Sequence, residues 1–268
     1  NYSIGIYNNT FNISIYIDKI NTSDTTDTFT DLVIYEEEVK YLDNKYLETD
    51  LVLQNSISLG RIGDIGTGSS AIGLYVTATG DASHAEGDTT TASGENSHAE
   101  GYDTTASGDS SHAEGSNTTA SADSSHAEGN STEASGNCSH AEGSTTTASA
   151  DSSHAEGSNT TALGDYSHAE GSNTTASGYA SHAEGSTTTA SGVSSHAEGD
   201  YTTASGASSH AEGYGTKASS QFQHVQGKYN IEDKDRKYAH IVGNGAGDAK
   251  RSNAHALDWK GNGWYAGK

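Results

Sequence analysis

The 268-residue chain has no proline and no methionine, one cysteine, three phenylalanines and two tryptophans. Each shortage excludes something. Without proline, nothing in the sequence interrupts a hydrogen-bonded ladder. With one cysteine there is no disulfide framework. Cys138 occupies a slot that other copies of the surrounding pattern fill with Ser, Asn, Ala or Tyr, so it reads as a surface residue. Large apolar side chains are too few for a conventional core, and no apolar run is long enough to span a bilayer; no leader peptide is visible either. Basic residues are scarce as well, 13 against 36 acidic ones, for a formal charge of −23. A surface this acidic repels phosphates and anionic lipid, so neither nucleic acid nor membrane is expected as a partner.

What the chain has instead is a period. Eleven histidines stand fourteen residues apart, at His84, His98, His112, His126, His140, His154, His168, His182, His196, His210 and His224. Ten of them sit in the pentapeptide Ser-His-Ala-Glu-Gly, with Glu86, Glu100, Glu114, Glu128, Glu142, Glu156, Glu170, Glu184, Glu198 and Glu212 two residues on. A strict short period is the mark of a stacked structural unit. Fourteen residues rich in Ser, Thr, Gly and Asn do not suit a helix pair. They do suit two short strands and two turns, so each repeat reads as one coil of a β-solenoid, rising roughly 4.8 Å per coil for a rod about 50 Å long.

Comparing the copies assigns faces. Alternation along the first strand puts Ser, Ala and Gly on one side and His and Glu on the other. The second strand, Thr-x-Ala-x, fixes only Thr90, Thr104, Thr118 and their equivalents with the Ala two residues later; Glu133, Leu163 and Lys217 show that its other face meets water. The interior is therefore Ser, Ala and Thr, and it offers little apolar burial against an ordering cost of roughly 1–2 kcal/mol per residue. Because the His and Glu face stays constant while the solvent face drifts, it is expected to be covered by the same face of other copies around a symmetry axis. That reading makes the chain a homotrimer, with the eleven histidines and ten glutamates as its interface ladder. Within that ladder, Glu is expected to raise the folded-state pKa of His, so that stability peaks in mildly acidic solution; the alternative is a dry axis, where burial keeps His neutral and hydrogen-bonded to a protonated Glu.

The segment Ser69-Ser70-Ala71-Ile72-Gly73, one period ahead of the first Ser-His-Ala-Glu-Gly, resembles the Ser-Val-Ala-Ile-Gly repeat of YadA-type adhesin heads. The resemblance implies a left-handed parallel β-roll, trimeric, with His in the Val place and Glu in the Ile place, both looking toward the trimer interior. A second resemblance lies outside the repeats, in the order of Tyr41-Leu42-Asp43-Asn44-Lys45-Tyr46, Asn55 to Arg61, Gln223 to Asp233, Tyr238 to Gly245 and Ala254 to Trp259. That order is similar to tail-fibre and minor structural proteins of phages and prophages from clostridia-like bacteria. It implies a place in a virion tail, with other tail or baseplate proteins and a host surface glycan as partners. The alternative is the head of a bacterial autotransporter-type surface adhesin. No protease domain of the kind that follows in some relatives is expected within this chain.

Three regions result: an N-terminal β-rich attachment region over 1–54, the repeat rod over 55–227, and a C-terminal β-hairpin cap or connector over 228–268. In the first, Ile4 and Ile6 alternate with polar residues, as do Phe11, Ile13, Ile15 and Ile17, a hairpin pattern across Asn8-Asn9. Val39, Leu42 and Tyr46 fit a short helix or a strand. In the last, Lys260-Gly261-Asn262-Gly263 is a turn between Ala254–Trp259 and Trp264-Tyr265. This cap carries a net charge of +3, and Trp259, Trp264 and Tyr265 are its candidate receptor contacts. Outward Tyr102, Tyr166, Tyr179, Tyr201 and Tyr214 read as ordinary surface residues. A His and Glu two residues apart suggest acid–base chemistry in isolation, but ten identical copies read as architecture, so no catalytic residue, cofactor or metal site is expected.

Overall fold

A computed structural model describes residues 65–266, together with the backbone of the strands Gly5–Ile6, Ile13–Ser14 and Ile57–Arg61. Among the described residues there is no helix. The chain winds as a parallel β-solenoid in which each fourteen-residue coil supplies a five-residue strand, such as His140–Ser144, and a two-residue strand, such as Thr147–Ala148. Each strand bonds to its equivalent in the next coil, so His140 pairs with His154, Ala141 with Ala155 and Glu142 with Glu156. The short strands form a second ladder, with Thr147 beside Thr161. In-register stacking follows from the period itself: when every coil has the same length, each residue lies over its own copy.

The interior is as thin as the sequence suggests. In the coil from Ser139, the buried side chains are Ser139, Ala141, Thr146 and Ala148, none more than 1 % exposed. Some of the Ser hydroxyls reach carbonyls at the turns, as in Ser153 Oγ donating to Ala150 O at 2.7 Å, whereas others, Ser139 Oγ among them, have no partner. With so little apolar area per coil, the backbone ladder and the stacking of whole coils carry the fold.

Two features depart from the expected faces. The glycine of Ser-His-Ala-Glu-Gly does not join Ser and Ala inside. At Gly143 the backbone takes a φ of +109°, which breaks the alternation and leaves the residue at the surface. Each coil also turns at two corners seven residues apart, where ordinary residues adopt left-handed backbone: Cys138 at +55°, Thr145 at +58°, Ser152 at +54°, Asn159 at +54°. Their amides are the reason. Thr145 N–H reaches back across the coil boundary to Asn130 O at 2.8 Å, and Cys138 N–H to Asp123 O at 2.9 Å.

The parallel stack runs on past residue 227. His224–Lys228 pairs in parallel with Tyr238–Asn244, placing His240 over His224. Tyr238–Asn244 then pairs antiparallel with Asn253–Asp258, which pairs antiparallel with Gly263–Tyr265 around the expected turn. Single-copy polar residues replace the repeat interior here. Gln223 Nε2 donates to Asp233 Oδ2 and to Tyr238 O, both at 3.0 Å, and Arg251 donates to Gly215 O at 2.7 Å. At the other end, Gly5–Ile6 and Ile13–Ser14 pair antiparallel and bracket Asn8-Asn9. The stretch with Val39, Leu42 and Tyr46 lies outside the described residues.

Candidate functional site: the histidine–glutamate face

The strand ladder places all eleven repeat histidines in one column. From His98 to His224, successive imidazoles stack at 4.7–4.8 Å, with planes between 1° and 13° apart. The column continues through His240, His255 and Tyr265 with tilted rings at 5.3, 5.7 and 4.7 Å. This continuation escapes a reading of the sequence, because the spacing changes from fourteen to sixteen residues between His224 and His240. The glutamates form a parallel column beside it. From Glu156 to Glu212 they line a groove of about 590 Å³.

Each imidazole Nε2 faces carboxylates. Near the start of the rod the partner is the Glu of the same coil, at 3.5 Å for His84–Glu86 and 3.4 Å for His98–Glu100. Toward the end it is the Glu of the preceding coil, at 3.2 Å for His210–Glu198 and 3.3 Å for His224–Glu212. In between, the two partners balance: His182 lies 3.8 Å from Glu170 and 3.9 Å from Glu184. The mid-rod separations are too long for hydrogen bonds, whereas His210 and His224 at the end of the rod do reach Glu198 and Glu212. The Nε2 atoms of His98, His112, His126, His140, His154, His168, His182 and His196 are shielded from solvent and accept or donate no hydrogen bond.

The expected pKa direction is corrected here. Burial pushes the imidazoles of His98, His126, His140, His168 and His196 below their ordinary value, and neighbouring imidazoles push the same way. The glutamates pull upward and lose. A close stack of like groups resists protonation because each added charge sits beside another imidazole.

The other candidates are spread out. Trp259, Trp264 and Tyr265 are about half exposed on the cap, with Trp259 Nε1 donating to Arg236 O at 3.1 Å. Of the surface tyrosines, Tyr166 meets Tyr179 edge-on and Tyr201 meets Tyr214 edge-on, while Tyr214 also meets Tyr229, which sequence reasoning had not singled out. Cys138 is exposed. Among the described residues, no helix is long and apolar enough to cross a membrane.

Residues 85–111, 99–121, 155–181 and 183–209 match the YadA head domain repeat. YadA head domain repeats are found in the rod. The matched residues amount to less than half of the chain, and all fall within the solenoid. The resemblance drawn through Ser69 to Gly73 agrees with the pairing, because Ser70 lies beside His84 and Ile72 beside Glu86. No curated protein matches the chain.

Proposed function

We propose that the chain is the rod of a homotrimeric, extracellular, adhesin-type fibre that spaces or presents a region contacting a host-cell surface. One observation carries the reading: a face identical in coil after coil holds solvent-shielded Nε2 atoms with no hydrogen-bond partner, while still exposing 34–42 % of each histidine side chain. A constant face that is only half covered within one chain is suited to being covered by others, as the corresponding face is in YadA-type heads. The work of such a rod is mechanical. It has no catalytic role, so incubation with host polysaccharide should leave the polysaccharide intact.

Two placements of the fibre remain, each with its own support. The order of segments outside the repeats resembles phage tail fibres, whereas the head repeats themselves favour a surface adhesin of the autotransporter kind. Labelled antibody against the chain separates them, by decorating purified phage tails or intact bacterial cells. Light scattering on the purified chain tests the assembly directly. The expected mass is three times that of one chain, and a folded monomer at micromolar concentration would overturn the reading.

A further inference from the structure

Five places in the histidine–glutamate face bring two successive imidazoles and one carboxylate within 4.8 Å of one another: His126, Glu128 and His140; His154, Glu156 and His168; His168, Glu170 and His182; His182, Glu184 and His196; His196, Glu198 and His210. The middle of the rod is where each carboxylate sits between two rings rather than on one. Glu184 lies 3.9 Å from His182 and 3.7 Å from His196. These gaps are longer than a hydrogen bond, yet they suit two atoms ligating one small cation: bonds of about 2.0–2.1 Å place tetrahedral ligands ~3.4 Å apart and opposed ligands ~4.2 Å apart. Solvent-shielded imidazole nitrogens with no other partner are what such a site offers before it is filled.

We propose that the central coils bind divalent transition-metal ions of the zinc class, each held by two successive imidazoles and a carboxylate of the same chain. Imidazole with carboxylate is a donor set for zinc, nickel or copper, whereas calcium and magnesium require oxygen alone. The stacking sets the number. Each histidine has one Nε2, so neighbouring sites compete for a shared ring, and of the five places at most three fill together, for example His126 with His140, His154 with His168, and His182 with His196. Ions then sit at least two coils apart, roughly 9.5 Å at the strand spacing, which relieves their mutual repulsion. The charge also matches. Two coils bring two glutamates to this face, and one divalent ion balances them. Filling a site tips its two parallel rings toward each other, because Nε2 atoms on rings stacked 4.7 Å apart must approach to share an ion.

The ligands of every site belong to one chain, so the proposal stands apart from the trimer reading, and the two fail in different experiments. Untagged full-length chain, stripped with chelator, is titrated with zinc chloride by calorimetry, with calcium chloride as the control. The expected result is saturable uptake of three zinc ions per chain and no displacement by calcium. His168→Gln should lower the stoichiometry to two, whereas His210→Gln should leave it at three, because His196 still pairs with His182. Far-UV circular dichroism of both variants confirms the solenoid. The proposal is overturned by an absence of saturable zinc uptake, by one ion per histidine, or by His168→Gln binding as many ions as the parent with an unchanged spectrum.

Discussion

Two glycines seven residues apart test whether backbone conformation or space limits this fold. A Cβ built on Gly143 would lie 2.2 Å from Gly157 O in the next coil, and one on Gly136 would lie 2.0 Å from Ala150 O. By clash alone the two substitutions to Ala look equally costly. They differ in φ. Gly143 stands at +109°, a region L-residues rarely enter, whereas Gly136 has no positive φ. The chain also carries an internal control, since Ala122 and Ala150 already occupy the slot of Gly136 in the flanking coils, and no copy of the Gly143 slot from Gly87 to Gly213 holds anything but glycine. The neighbours at Gly136 can therefore give way.

For Gly143→Ala, a strained φ costs about 1–3 kcal/mol and forced overpacking a further 1–3, for a total near 4 kcal/mol. For Gly136→Ala the overpacking is largely relaxed, and a stiffer unfolded chain returns about 0.4–1 kcal/mol, leaving a net cost below ~1 kcal/mol. Urea unfolding followed by circular dichroism measures both against the parent. Because a repeat array can fray locally, limited proteolysis mapped to residues 130–160 should show Gly143→Ala opening there first. Equal losses for the two variants would refute the argument that φ decides.

Two other outcomes are expected. The imidazoles of His98, His126, His140, His168 and His196 titrate below their ordinary value, with burial first and the adjacent imidazoles second among the causes; for His140 the opposing groups are Glu142, Glu128 and Glu156. A base whose folded pKa is depressed binds fewer protons folded than unfolded, so its contribution is present above the unfolded value of about 6.5 and is lost as pH falls through the folded value. Thermal midpoints in chelator should therefore drop on acidification below pH ~6.5, and a maximum in mildly acidic solution would contradict the assignment. At the corner residue Thr145, a β-branched side chain at a φ of +58° carries strain of about 1–2 kcal/mol. Thr145→Asn, the residue already found at the equivalent Asn117, Asn159 and Asn173, should raise stability by up to ~1 kcal/mol, measured in the same urea assay; a loss would show that the corner is unstrained.

The coil was readable because the chain repeats it. Comparing copies averages away incidental residues, and what remains at Ser139, Ala141, Thr146 and Ala148 is the interior. The corners escaped the same comparison. Ala82, Thr89, Asn96, Asp103 and Ser110 all adopt left-handed backbone, and no common residue type announces it. Their conformation is imposed by amides bonding back across the coil boundary, a property of the stack that local composition does not encode. The glycine of the pentapeptide was assigned inward by alternation, and alternation fails where φ changes sign. The cap was legible only at its tight turn, since Gln223, Asn230, Asp233 and Arg251 occur once each and offer no second copy to compare. The pKa direction was misjudged because pairing and burial oppose one another, and only the stacked geometry shows which prevails.

The first coil separates what the fold requires from what the face adds. Ser70 and Ile72 occupy the places of His84 and Glu86 in the same ladder, on a backbone that continues into the repeats without a break in register. Ser69 and Ala71 beside them remain buried like the Ser and Ala of each later Ser-His-Ala-Glu-Gly. The coil thus closes equally well with a hydroxyl and an aliphatic side chain on this face. Serine, alanine, threonine and glycine are dictated by closing and stacking the coil, whereas histidine and glutamate are not. Ten exact copies of a pair that the backbone does not demand, arranged so that eight of the ten Nε2 atoms lie shielded without a hydrogen bond, place the reason for that pair in whatever the face meets.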